Sequence, residues 1–169
     1  MGVLVSNDSQ LDTLVDQAEV EQIVATCLKL EEVPRPVEVS VSFVDADEMH
    51  ELNREWRGVD KTTDVLSFEC DDPFDESVPA DAELELGDII LAPTVIAAQA
   101  PQFNNTPADE LRLMLVHGMM HLLGYDHMVE DEAICMEQHE EAILKDLAVQ
   151  RGVDAAKVSV GPSTRHEND

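Results

Sequence analysis

The segment from Thr106 to His127 has little choice about its own conformation. Thr106 is a good N-cap, Pro107 fits the first helical position, and Asp109 and Glu110 place negative charge against the positive end of a helix dipole. Mostly apolar residues then continue to Leu123, where Gly124 marks the stop. A helix over 107–123 follows, and its period decides which side chains meet. His117 and His121, four residues apart, stand about 6 Å from each other on one face, close enough for two imidazoles to share one metal ion. Gly124 can adopt a left-handed conformation and fold the chain back, so that His127 supplies a third nitrogen from the following loop.

Three neutral imidazoles suit Zn²⁺ and leave one coordination position for water, the arrangement of a catalytic rather than a structural site. The HxxxH pair alone is a weak signal, because helices often carry two histidines as interior or accidental residues; the third histidine and the glycine give it weight. Met119, Met120, Leu122 and Leu123 read as core packing that keeps this helix rigid. His50, His139 and His166 have no comparable neighbours and are expected to be exposed. The spacing HxxxHxxGxxH is also that of the metzincin peptidases, in which a glutamate after the first histidine is the general base. Gly118 occupies that position here, so a peptidase reading lacks its base and ranks second.

From Val37 to Val44 the sequence alternates with period two, which predicts a strand with Val37, Val39, Val41 and Phe43 facing a core. Further strands are expected at Asp64–Glu69 and Asp88–Leu91, the second nearly all apolar and so central in a sheet. Helical periodicity marks Leu11–Leu30, with Ser9 as cap, and Asp45–Arg57, with Met49, Leu52 and Trp56 on the inner face. Thr94–Phe103 and Glu130–Gln150 read as helices too. Cys70 to Glu85 is acidic, holds two prolines and reads as a long loop or a frayed hairpin. Val3 to Val5 suit a short strand, a reading preferred to the myristoylation pattern that the first six residues also fit.

Charge narrows the function. Against 37 Asp and Glu stand 10 Lys and Arg, a net charge of −27, which excludes a generally basic protein that coats nucleic acid. With 169 residues, 44% of them hydrophobic, the chain can bury roughly 70% of its unfolded surface and needs neither metal nor disulfide to fold. The simplest organisation is a single domain over 1–151 followed by a polar, partly ordered tail over 152–169. No apolar run exceeds four residues, whereas a membrane span needs about 20, so a cytoplasmic protein without a membrane partner is expected. Cys27, Cys70 and Cys135 are odd in number and lack CxxC spacing, and each is expected to be a buried, reduced thiol.

His117 to His127, together with Leu52-Asn53, Trp56-Arg57-Gly58, Asp60 to Phe68 and Leu86-Gly87-Asp88-Ile89, closely resemble the YbeY family of bacterial endoribonucleases. Within the family pattern HGxLHLxGYDH the departure is Met120, another apolar residue, and Thr62 stands before Thr63 where proline is usual. The resemblance implies an α+β fold with a small mixed β-sheet packed with about five helices, and a zinc site at His117, His121 and His127 holding one Zn²⁺ per chain. It also implies cleavage of single-stranded RNA in ribosomal RNA maturation and ribosome quality control, with the ribosomal subunit and assembly proteins as partners. It gives Arg57 the catalytic role of clamping a phosphate through two parallel hydrogen bonds; apart from the family, Arg57 can also be a surface residue answering a helix dipole. Asp126 either accepts the outer N–H of an imidazole or caps the turn, and capping is the commoner role. Arg54, Arg57 and Lys61 supply the local positive patch that an acidic RNA-binding chain requires. A third reading is a non-catalytic ribosome-assembly module whose metal is structural and closed by a fourth protein ligand.

Overall fold

The computed structural model describes residues 2–161, so the expectations for His166 and for tail positions 162–169 lie outside the described residues. The alternating segment forms β2 (Val37–Phe43), with Val37, Val39, Val41 and Phe43 all buried. β1 (Gly2–Ser6) pairs with β2 in parallel, and β4 (Leu84–Leu91) pairs in parallel on its other side. β3 (Val65–Glu69) runs antiparallel to β4, which gives a mixed four-stranded sheet in the order β1-β2-β4-β3. The apolar strand is thus central, as its composition requires. It starts earlier than its apolar run, because Leu84 and Leu86 are buried while Glu85 points to solvent. Past β3 the hairpin frays into the acidic loop: Cys70 and Asp71 still donate to the carbonyls of Leu86 and Glu85 at 3.0 and 2.8 Å.

Five helices complete an α+β architecture: α1 (Gln17–Leu30), α2 (Ala46–Arg57), α3 (Pro93–Gln99), α4 (Pro107–Leu122) and α5 (Glu130–Gln150). α1 begins six residues later than periodicity suggests. The Asn7 side chain bonds both backbone groups of Leu11, Asp12 accepts the Leu14 N–H, and Leu14 sits at φ 69°, so local side-chain bonds take the backbone away from helix. Asp16, not Ser9, is the cap and accepts the Glu19 N–H at 2.8 Å. In α2 the inner stripe begins as expected, with Met49 fully buried, but Trp56 at its far end is 63% exposed. The stripe ends over β3, the edge of the sheet, where Trp56 meets Phe68 and, among the described residues, no further strand lies beyond.

α4 is the hub. Leu111, Met114, Leu115, Val116, Met119 and Met120 are all essentially inaccessible, and the helix packs on β3, β4, α1, α3 and α5. A helix apolar on nearly every side belongs in a core, and each fully buried Leu or Met contributes about 1.5–3 kcal/mol. Its start is also fixed by polar contacts: Thr106 caps Asp109, and the fully buried Glu110 accepts from Gln99 and Asn105 at 3.1 and 2.9 Å. The same Gln99 amide donates to Asp64 at the root of β3 at 2.9 Å. Against the sheet, a Cβ on Gly118 would lie 3.1 Å from Ile89 Cγ2, so the absent side chain sets how closely α4 approaches β4.

Of the cysteines Cys27 alone is buried; Cys70 stands on the acidic loop and Cys135 on α5, and both are exposed. No helix among the described residues is long and apolar enough to cross a membrane.

Candidate metal centre

α4 carries His117 and His121 toward its C-terminal end, and Gly124 at φ 99° reverses the chain so that His127 returns toward them. Ring centroids lie 4.6 Å apart for His117 and His121, 5.5 Å for His117 and His127, and 5.1 Å for His121 and His127. One nitrogen from each ring lies within 4.8 Å of the other two. The spacing in the sequence therefore does bring the three imidazoles together, and the trio can hold a metal ion.

The outer nitrogens explain how the rings are aimed. His117 Nδ1–H donates to Glu140 Oε2 at 2.8 Å, and His121 Nδ1–H donates to the Tyr125 carbonyl at 3.1 Å. An ionised carboxylate and a carbonyl only accept, so both rings keep their proton at Nδ1 and turn a bare Nε2 inward. Those two Nε2 atoms are 3.1 Å apart. Two lone pairs at that distance repel unless a cation lies between them, and two nitrogens 2.0–2.1 Å from a tetrahedral ion are themselves about 3.3 Å apart. His121 is held neutral, as a ligand must be: burial, then His117 and His127, push its pKa down to about 4. The dimensions and the donor set fit an ion that favours imidazole, zinc among them.

The loop after α4 is itself pinned. The Tyr125 hydroxyl donates to Glu31 Oε1 at 2.6 Å, and His139 Nδ1–H donates to Glu31 Oε2 at 2.8 Å, tying the loop to the end of α1 and to α5. Burial and the Glu31 carboxylate raise the Tyr125 pKa, so its hydroxyl stays a donor. The Asp126 carboxylate accepts the backbone N–H of His127 at 2.7 Å, a bond of the capping kind, while the outer N–H groups of His117 and His121 go to Glu140 and the Tyr125 carbonyl.

The three histidines line a cleft of about 330 Å³ with Asp126, Met128, Arg57 and every residue of β3 from Val65 to Glu69. Of the three basic residues expected there, Arg57 is at the cleft wall. Arg54 turns aside to Glu51 at 2.6 Å, and Lys61 is not among the lining residues.

Comparison with known proteins gives the cleft a context. The family described as Endoribonuclease YbeY matches residues 5–148. The chain belongs to the YbeY family. It is similar to the protein named Endoribonuclease YbeY of Roseiflexus castenholzii, 43% identical over 144 residues that cover 84% of this chain and 90% of that one. The protein of the same name from Thermoanaerobacter sp. strain X514 is 36% identical over 159 residues, which cover 89% of this chain and 100% of that one. The solution structure of TM1509 from Thermotoga maritima, at TM-score 0.56 and 24% identity over 98% of this chain and 97% of that one, shares the fold.

Two features of this YbeY chain escape a reading of the motif. Glu140 lies 23 residues from the histidine it aims, but the stripe Met136, Glu140, Ile143, Leu147 on α5 carries its signal, since a carboxylate in an apolar stripe requires a buried polar partner. Glu31 and His139 gave no such signal. His50 and His139, expected to be exposed, are about 40% exposed, and each is bonded to a carboxylate: His50 to Asp60 at 2.7 Å, His139 to Glu31 at 2.8 Å.

Proposed function

We propose that this chain is a zinc-dependent endoribonuclease that cuts single-stranded RNA in ribosomal RNA maturation and ribosome quality control. His117, His121 and His127 are the zinc ligands, and Arg57 is the catalytic phosphate clamp. The observation that carries this reading is the pair of bare Nε2 atoms 3.1 Å apart, with a third imidazole facing them, in a cleft that also holds a guanidinium. Membership in a family described as endoribonuclease supplies the reaction class. The ribosomal subunit with its assembly proteins, the cytoplasm, and a catalytic domain over 1–151 complete the proposal.

Zinc held there supplies Lewis acidity at a phosphate oxygen. Glu140 and the Tyr125 carbonyl keep the protons of His117 and His121 at Nδ1, so neither ring can swing its donor nitrogen inward. Arg57 orients the phosphate through two parallel N–H···O bonds and answers the negative charge that grows on its oxygens as the bond breaks. Gly118 supports this choice over a peptidase: a side chain there is directed at Ile89, so no carboxylate can stand beside the histidines from that position. Among the described residues the histidine cluster has three members, which supports an open position rather than a closed structural metal.

The test is metal analysis of the purified protein paired with cleavage of single-stranded RNA, before and after chelation and zinc return, with His121→Ala purified in parallel to expose contaminating nucleases. The reading predicts one zinc per chain, loss and recovery of cleavage with the metal, and an inert His121→Ala chain. Cleavage that survives chelation, or that the variant retains, overturns it.

A further inference from the structure

Trp56 is the chain's one tryptophan, and it is 63% exposed. It stands seven residues after Met49, which puts both on the same helical stripe, yet Met49 is fully buried. Its ring and that of Phe68 form a T-shaped pair at a centroid distance of 6.0 Å and an interplanar angle of 67°, and the residue stays mostly open to solvent. Its neighbours place it. Phe68 lines the histidine cleft, and so does Arg57, the next residue in the chain.

We propose that Trp56, backed by Phe68, is a stacking platform for one unpaired base of the RNA, beside the phosphate that Arg57 clamps. The proposal rests on the endoribonuclease reading and adds what selects the strand. A single-stranded nucleic acid alternates an anionic phosphate with a flat, π-faced base, so an arginine on the cleft wall and an open indole on the residue before it match one nucleotide. The need is set by charge: a chain of net charge −27 with one arginine at the cleft wall gains little from neutralising phosphates. Base–aromatic stacking does not depend on charge. It also discriminates, since the bases of a duplex are already stacked on both faces and cannot cover the indole.

The single tryptophan is its own reporter. Indole emission of the zinc-loaded, full-length protein is followed by stopped flow, before turnover, on mixing with a single-stranded oligoadenylate or with a blunt-ended, G·C-rich RNA duplex long enough to stay fully paired at the assay temperature. Saturable quenching by the single strand and not by the duplex is expected. In steady-state cleavage, Trp56→Ala raises KM about 5- to 100-fold with kcat little changed, and Trp56→Phe recovers most of the loss. Emission that ignores the single strand, an equal response to duplex, or a Trp56→Ala chain with unaltered KM overturns the proposal. Emission that instead changes with protein concentration alone overturns it in favour of self-association. Failure of the endoribonuclease reading is seen separately, as wild-type protein that cuts no RNA, and removes this proposal with it.

Discussion

In the proposed zinc site a histidine that binds through one nitrogen is aimed through the other, and the outer nitrogen of His117 is held by Glu140, itself only 2% exposed on α5. Truncation therefore acts on both metal binding and stability. Glu140→Ala is expected to weaken zinc binding about 10- to 100-fold, read by competition with a chromophoric chelator. The same variant leaves the His117 Nδ1–H without its acceptor and costs about 1–3 kcal/mol in a denaturant titration. Unchanged zinc affinity would mean that the ring is aimed by something else. Arg57 makes a different forecast. It is exposed at the end of α2, so Arg57→Ala leaves circular dichroism and zinc content intact while cleavage is lost; a normal cutting rate removes Arg57 from the mechanism.

At the scale of elements, α4 decides both fold and site, because the helix that carries two of the histidines is also the best-buried one. Gly118→Ala puts a Cβ 3.1 Å from Ile89 Cγ2, so the Ile89 side chain or the helix itself must give by a few tenths of an ångström to admit it. A loss of about 1–3 kcal/mol in thermal unfolding is expected, accompanied by weaker zinc binding; an unshifted transition contradicts the close approach. α4 was also the most legible element, since its cap, its stop and its histidine register are all local. β2 was legible within one residue through its strict alternation, ending at Phe43 rather than Val44, and the span of α5 was read as well. What stayed hidden depends on partners distant in sequence. The start of α1 was lost to bonds among Asn7, Leu11, Asp12 and Leu14 that compete with helix. Trp56 looked like core because periodicity reports the stripe and not where the sheet beneath it ends. Glu31, His139 and Glu140 reach the site only through the packing of α1 and α5 around α4.

For the molecule as a whole, acidity and RNA cleavage have to coexist. Arg57 supplies local positive charge at the cleft, yet Glu69 and Asp126 line the same walls, so substrate approaches against a net repulsion. Added salt weakens phosphate contacts and also screens that repulsion. Moderate salt is accordingly expected to reduce cleavage less steeply than counterion release at a basic protein would; a steep fall between low and physiological ionic strength contradicts this balance. The claim beneath all of it concerns the coordination of a single ion, and zinc K-edge absorption on the loaded protein reads that most directly. Three imidazole scatterers at about 2.0–2.1 Å and one light-atom ligand that is not imidazole are predicted. Sulfur scattering, a fourth imidazole, or a spectrum unchanged in the His127→Ala chain would contradict the account.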